Sequence, residues 1–198
     1  LARTSGNVDV YNPFAMNRFQ PFNGNEGDAT RVSFSSDGNR LLTAGRDGTA
    51  RLWNVQLGTP LQAFIGHGPD PDNADRTGVT TAFFADSETK VVTSSVDRTA
   101  RLWDVGSGAL LQTFSGHADT VNSAMFDSAF SRLVTAGADG NVILWNPDGS
   151  VLHTMSNVHP GGAGFAVFSA DNTRLATGGS DGIVRIWDAT LTPPAELG

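Results

Sequence analysis

The chain has 198 residues, of which 39% are hydrophobic, so it is long enough to bury a substantial core in one domain or at most two. Acidic residues outnumber basic ones by 20 to 13, and the formal charge of −7 argues against a basic nucleic-acid-binding surface. Cysteine is absent, which excludes disulfides, thiolate chemistry and cysteine-ligated zinc, and no apolar run approaches the roughly 18 residues that a membrane-spanning helix needs.

The predicted elements, taken in chain order, are short strands separated by turn residues. Residues 5–23 align with the third and fourth strands of a repeat, with Tyr11 in the place that tryptophan takes later. The runs RVSFS, LLTAG, TARLW and LQAFIG follow, rich in β-branched and aromatic residues. The same order returns three times, beginning at TTAFFA, NSAMFD and FAVFS. The last repeat ends in PPAELG, where we predict no clear outer strand.

Four tryptophans define the period of this repeat. They are separated by 50, 42 and 42 residues, an aspartate stands six residues before each, and a threonine stands four residues before each aspartate. A histidine follows the first three tryptophans after 14 residues. The eight extra residues of the longest interval lie between His67 and Val79. A period near 42 residues with four short strands is typical of a propeller blade and not of a helical repeat.

These residues resemble the WD-repeat family, whose units carry Gly-His early and Trp-Asp late. Gly66-His67 and Gly116-His117 match the first element, and Trp103-Asp104 and Trp187-Asp188 match the second. Two repeats depart from the pattern by ending in Trp-Asn. The resemblance implies an all-β fold, a β-propeller built from four-stranded antiparallel blades.

We expect about four and a half blades in a single, partial propeller domain spanning residues 1–198. The predicted divisions are a half blade at 1–23 and blades at 24–66, 67–116, 117–158 and 159–198, the last lacking a clear outer strand. Propellers usually close at about 4 to 8 blades. We therefore expect this arc to be part of a larger ring of about seven blades, or to be completed by another chain.

In the WD-repeat family the histidine, threonine, aspartate and tryptophan of one repeat form a hydrogen-bonded tetrad inside the blade. The resemblance implies three complete tetrads and one in which asparagine replaces histidine: His67, Thr93, Asp97 and Trp103; His117, Thr135, Asp139 and Trp145; His159, Thr177, Asp181 and Trp187; and Asn25, Thr43, Asp47 and Trp53. Thr, His and Asp also compose hydrolase triads, but several sets at repeat spacing favour a structural role. We therefore predict no catalytic residues and no enzyme.

The remaining histidine and the arginines near the tryptophans are interpreted as surface features. His153 lies in the outermost strand VLHTM, where a lone histidine is usually a surface residue. Arg51, Arg101 and Arg185 stand two residues before their tryptophans. We expect their stems to pack along the sheet with the guanidinium groups pointing outward.

The largest departure from the repeat is the segment GPDPDNADRTG at 68–78, which the family resemblance places among top-face loops that contact partners. Asp70, Asp72 and Asp75 could collect oxygen ligands for calcium. The spacing lacks the glycine and the closing glutamate of a recognised calcium loop. We therefore favour a solvated acidic loop and no cofactor, with calcium as the alternative.

Family analogy also suggests residues for partner contact on the top face: Arg46, Val96, Ala138, Ser180, Asp119 and Thr120. Arg46 is favoured because arginine is enriched at interface hot spots. The sequence thus predicts a non-catalytic protein–protein interaction scaffold, presenting top-face loops and a rim to partners in a multi-protein assembly. The alternative is a ligand- or calcium-binding sensor module that uses the 68–78 loop.

The expected partners are other proteins, with a chain that completes the propeller as one option, and no nucleic acid or membrane span is expected. The compartment is left open by the sequence. We expect the cytoplasm by default, with export as an alternative because the chain begins at Leu1 and not at methionine.

Overall fold

The computed structural model describes residue 22 and residues 28–197, and every regular element in this part of the chain is a β-strand, as predicted. The strands form four antiparallel sheets of four strands each, in chain order. Sheet 1 contains β1 (Ala29–Phe34), β2 (Arg40–Gly45), β3 (Thr49–Asn54) and β4 (Pro60–Ile65). Sheet 2 contains β5 (Val79–Ala85), β6 (Lys90–Ser95), β7 (Thr99–Asp104) and β8 (Leu110–Ser115). Sheet 3 contains β9 (Val121–Phe126), β10 (Leu133–Gly137), β11 (Val142–Trp145) and β12 (Val151–Met155), and sheet 4 contains β13 (Ala163–Phe168), β14 (Arg174–Gly179), β15 (Val184–Asp188) and β16 (Ala195–Glu196).

Each sheet is a meander of tight hairpins, so strands that are adjacent in sequence are adjacent in space. The second strands of the first three sheets are almost entirely buried and the third strands are buried or half-buried throughout, whereas the fourth strands carry exposed residues at both ends or at the start. The first strands of successive sheets contact one another. The first strands therefore line the inner side of the assembly, and the fourth strands form its outer rim.

The core lies between successive sheets. Leu42, Leu52 and Phe64 of sheet 1 pack against Val91 and Trp103 of sheet 2. The same type of contact joins sheet 2 to sheet 3 and sheet 3 to sheet 4. Burial of each such large apolar side chain contributes about 1.5 to 3 kcal/mol. The stacking of sheets, and not the pairing of strands alone, thus holds the arc together.

One face of sheet 4 packs against sheet 3, and the described residues leave the opposite face uncovered. Val184 is 63% exposed, whereas Ala50, Ala100 and Val142, which occupy the same position in the other sheets, are fully buried. The inner strand of sheet 4 also leaves Phe165 exposed on this side. An apolar face that is covered three times within the arc is therefore uncovered at its end.

The outer strand of sheet 4 differs from the sequence expectation. We predict no clear strand there, yet β16 pairs with β15 through Trp187 with Glu196 and Asp188 with Ala195. It is two residues long, and the ladder continues with one further hydrogen bond, from the Leu197 N–H to the Ile186 carbonyl at 2.8 Å. The predicted half blade at 1–23 lies, apart from residue 22, outside the described residues.

Candidate functional site

Sheet 2 joins the predicted histidine, threonine, aspartate and tryptophan into one hydrogen-bonded chain. The indole Nε1–H of Trp103 donates to Thr93 Oγ1 at 2.9 Å, and Thr93 Oγ1 lies 2.7 Å from His67 Nε2. His67 Nδ1 lies 2.8 Å from Asp97 Oδ2. Every donor in this chain meets an acceptor if the Thr93 hydroxyl donates to His67 Nε2 and the imidazole carries its proton on Nδ1, from which it donates to Asp97. This arrangement suits a neutral histidine.

Sheets 3 and 4 repeat this geometry with little change. Trp145 and His117 contact Thr135 Oγ1 at 2.9 and 2.8 Å, and His117 Nδ1 lies 3.0 Å from both oxygens of Asp139. In sheet 4 the corresponding distances are 3.0 Å from Trp187 to Thr177, 2.9 Å from His159 to Thr177 and 2.9 Å from His159 to Asp181. The repeat spacing of the sequence therefore corresponds to a repeated polar network.

Sheet 1 contains the threonine, aspartate and tryptophan of the fourth predicted set. Trp53 Nε1–H donates to Thr43 Oγ1 at 3.0 Å, and Asp47 accepts from the backbone N–H of Thr49 at 3.0 Å. Asn25, the predicted substitute for histidine, lies outside the described residues.

Burial controls the protonation of the network in sheets 2 and 3. Burial lowers the pKa of His67 and of His117 below the ordinary value, against the opposing attraction of Asp97 and Asp139. Burial alone would raise the pKa of Asp97, but hydrogen bonds from His67, Thr99 and the Gly68 N–H lower it far below its usual range. Near neutral pH the pairs are therefore a neutral imidazole and an ionised carboxylate.

The arginines before the tryptophans differ from the sequence expectation, because their guanidinium groups turn back to the tetrads. Arg51 Nη1 donates to Asp47 at 2.7 Å, and Arg185 Nη1 donates to Asp181 at 2.7 Å. Arg101 donates to the Gly66 carbonyl at 2.7 Å and lies 3.5 Å from Asp97. A largely buried carboxylate needs a counter-charge, and these side chains supply it.

The 68–78 loop is held by ion pairs to arginine. Asp70 accepts from Arg76 at 3.1 Å and from Arg98 at 3.3 Å, and Arg98 also pairs with Asp72. Within residue 22 and residues 28–197, no group of three or more histidine or acidic side chains converges in a way that could hold a metal ion. The three aspartates of the calcium alternative, Asp70, Asp72 and Asp75, are thus not brought together as ligands.

Two of the predicted top-face residues are largely buried. Val96 is 7% exposed and Thr120 is 2% exposed, and Val96 lines the cavity beside Arg46 that is described below. Asp119 is half-buried and accepts from the Thr120 N–H at 2.6 Å. By contrast the side chain of Arg46 is 70% exposed, 3.8 Å from Asp28. Ala138 is half-buried and Ser180 is exposed.

A cavity of about 190 Å³ lies beside Arg46, at the junction of sheets 1 and 2. Its lining includes Arg76 and the hydroxyl-bearing residues Thr30, Thr77 and Thr80. Sequence reasoning singled out Arg46 and the loop separately and did not join them. The available signal was the insertion itself, which ends directly before the first strand of sheet 2 and so has to cross this junction.

Comparison with known proteins gives the same repeat. A family model described as WD domain, G-beta repeat, matches residues 17–54, 58–104, 108–146 and 149–188. The chain belongs to the WD-repeat family. Its four sheets are accordingly blades of a β-propeller, as the sequence predicts.

Individual relatives match over short stretches. WD repeat domain-containing protein 83 of Danio rerio is 44% identical over 50 residues, which is 25% of this chain and 16% of that protein. A guanine nucleotide-binding protein subunit beta of Arabidopsis thaliana is 40% identical over 63 residues, which is 32% of this chain and 16% of that protein. The matched part thus spans about a sixth of the length of these relatives.

The threonine hydroxyl groups at the centre of the WD tetrads are shielded from solvent. Thr93 and Thr177 are fully buried, and Thr135 is 1% exposed, so no substrate can reach their hydroxyl oxygens. Each hydroxyl is also engaged by both an indole and an imidazole. Across the described residues, no helix has the length and apolar character to cross a bilayer.

Proposed function

We propose that this WD-repeat chain is a non-catalytic scaffold that binds other proteins through the top face around Arg46 and the 68–78 loop. The observation that carries the proposal is that the polar residues fall into two groups, those bonded inside the blades and those exposed on the top face. The tetrads use their histidines and aspartates internally, whereas Arg46, Arg76 and the loop are presented to solvent on a rigid support. One relative is by its name a subunit of a larger protein, which agrees with a role in an assembly.

The experiment is partner capture with matched variants. We compare three immobilised proteins: the unchanged chain, its Arg46→Gln variant and a His153→Gln variant on the outer rim. The measurement is which individual proteins each of them retains, and in what amount. We expect capture to fall in Arg46→Gln and to be unchanged in His153→Gln, because only the first alters the top face. Equal capture by all three would contradict top-face binding.

We also propose that the open face of sheet 4 is covered by a further blade, supplied by another chain or by more of the same polypeptide. Each internal junction carries a cation that lies over an aromatic ring of the next sheet. Arg40 lies 5.3 Å from the Phe84 ring, Lys90 lies 4.9 Å from Phe130, and Arg132 lies 4.9 Å from Phe168. Arg174 occupies the same position at the open end.

An exposed apolar face of this kind supports the proposal, because soluble proteins rarely leave large apolar patches uncovered. Light scattering on the purified chain tests it. We expect a mass above the 20.8 kDa of one chain, reduced by Val184→Asp but not by Val151→Asp on the outer rim. A monomer with a sharp thermal transition would show that the arc is stable by itself.

A further inference from the structure

The insertion in the second repeat carries an internal network that fixes its shape. The Asp70 carboxylate accepts from the backbone N–H of Asp72 at 3.0 Å and from the guanidinium groups of Arg76 and Arg98. The Asp70 N–H donates to the Arg76 carbonyl at 2.8 Å, and the Asn73 N–H donates to the Asp70 carbonyl at 3.0 Å. A loop that is already ordered loses less conformational entropy when it binds a partner.

Arg98 anchors this loop from a position that glycine occupies in the other repeats. Gly48, Gly140 and Gly182 have φ values of 78°, 82° and 73°, and Arg98 has a φ of 68°. A residue with a Cβ adopts this left-handed conformation only at a steric cost. The Nε of Arg98 is in addition buried without a hydrogen-bond partner. Of the four repeats, the second carries both the insertion and an arginine at this strained position. The side chain of that arginine pairs with Asp70 and Asp72 of the insertion.

The anchored loop ends against sheet 1. Thr77 Oγ1 donates to the Arg46 carbonyl at 2.7 Å, and Thr30 Oγ1 donates to the Val79 carbonyl at 2.5 Å. A Cβ added at Gly78 would lie 3.4 Å from Arg46 Cα, so the two backbones are in close approach. These contacts set the position of Arg76 relative to Arg46 across the cavity of about 190 Å³.

The charged side chains that line this cavity are both arginines, although the chain as a whole carries a charge of −7. Each has one carboxylate nearby outside the lining, with Asp28 at 3.8 Å from Arg46 and Asp70 at 3.1 Å from Arg76. Among the described residues that line it there are two arginines and no carboxylate. The side chain of Arg76 is 49% exposed, and its ion pair to Asp70 uses one nitrogen, Nη1. Guanidinium groups bind carboxylates through paired N–H donors. The cavity is smaller than the roughly 300 Å³ at which sites for drug-sized ligands begin, so it has the size for a single side chain.

We propose that the cavity between Arg46 and Arg76 binds the carboxylate side chain of an acidic peptide segment in a protein partner. This inference rests on the proposed scaffold function and names the chemistry of the partner. Arg46 and Arg76 contact the carboxylate, and Arg98 is a positioning residue that holds the loop.

The probe is an array of short peptides that contain glutamate or aspartate, each paired with a copy in which glutamine or asparagine replaces the acid. The purified chain is applied to the array, and retained peptides are measured by fluorescence anisotropy at two salt concentrations. We expect retention of acidic peptides over their amide copies, and weaker binding at the higher salt.

Variants assign the binding to this cavity. Arg46→Gln and Arg76→Gln are each expected to weaken binding by roughly tenfold or more, the effect of losing a charge-assisted hydrogen bond. Arg98→Gly should also weaken binding, although Arg98 does not line the cavity, and Arg31→Gln in the cavity of the inner strands should not. Thermal melting verifies that each variant is folded.

The outcomes separate this inference from the proposed function. Equal binding of acidic peptides and amide copies, unchanged binding by Arg46→Gln and Arg76→Gln, or retention of no peptide at all would overturn the carboxylate site. The scaffold function is judged independently by partner capture. Capture that depends on Arg46 together with any of these results would leave the scaffold in place and refute the carboxylate as its ligand.

Discussion

Replacing Thr93 by valine tests the energetic role of the tetrads most directly. The two side chains have similar shape, so the substitution removes the hydroxyl without opening a large cavity. It leaves two buried groups without their partner, the Trp103 Nε1–H at 2.9 Å and His67 Nε2 at 2.7 Å. Each stranded group costs about 1 to 3 kcal/mol, so we expect a loss of roughly 2 to 6 kcal/mol in the free energy of unfolding.

The assay is urea unfolding at neutral pH, monitored by tryptophan fluorescence and by amide hydrogen exchange of sheet 2. Thr154→Val is the matched control, because Thr154 is an exposed threonine in β12 and surface substitutions change stability by about 0.5 kcal/mol or less. Thr177→Val should cost less than Thr93→Val, since Trp187 in the open sheet is only half-buried and water can replace the hydroxyl. If Thr93→Val matched the control, the tetrad would not stabilise the blade.

Three further predictions concern pH, the junction of sheets 1 and 2, and calcium. Burial lowers the pKa of His67 and His117 in the folded chain below the roughly 6.5 of unfolded histidine, so the unfolded state binds more protons and stability falls as pH drops below about 6.5. Thermal unfolding at roughly pH 7.5 and 5.5 should show this slope, reduced in His67→Gln and His117→Gln, and a flat profile would contradict it. Glu88→Gln should lower stability by about 1 kcal/mol in urea unfolding, because Glu88 accepts from Arg40 of the neighbouring sheet at 2.5 Å, and no change would mean that this contact does not join the sheets. Calcium should leave the melting temperature of the wild type and of Asp72→Ala equally unchanged, since Asp72 already pairs with Arg98, and a rise confined to the wild type would restore the sensor alternative.

The repeat and the residues of the tetrads were accessible from sequence because they lie within one repeat and recur from repeat to repeat. Thr93 and Trp103 are ten residues apart on paired strands, and His67 and Asp97 belong to the same repeat. The Trp–Thr contact recurs at ten residues in all four sheets, and the His–Asp contact spans 22 residues in sheets 3 and 4 and 30 in sheet 2, where the insertion adds eight. Periodicity therefore identifies the residues, and the family resemblance implies that they form hydrogen bonds. The β16 strand gave no comparable signal, because two paired residues after two prolines are too few to show alternation.

Side-chain burial and ion pairing between distant parts of the chain were decided only by the tertiary structure. Val96 and Thr120 look like exposed turn residues in sequence, but they are only 7% and 2% exposed in the structure. Residue spacing likewise does not reveal that Arg98 pairs with Asp70 and Asp72, or that Thr77 in the same loop donates a hydrogen bond to the Arg46 carbonyl. The amino-acid sequence by itself determined the strand pattern, its period and the residues that recur in each repeat, since these arise within one repeat, and the family resemblance implied their internal hydrogen bonds. Packing between blades determined which side chains face solvent, because burial and charge pairing across a junction join residues that no local pattern relates.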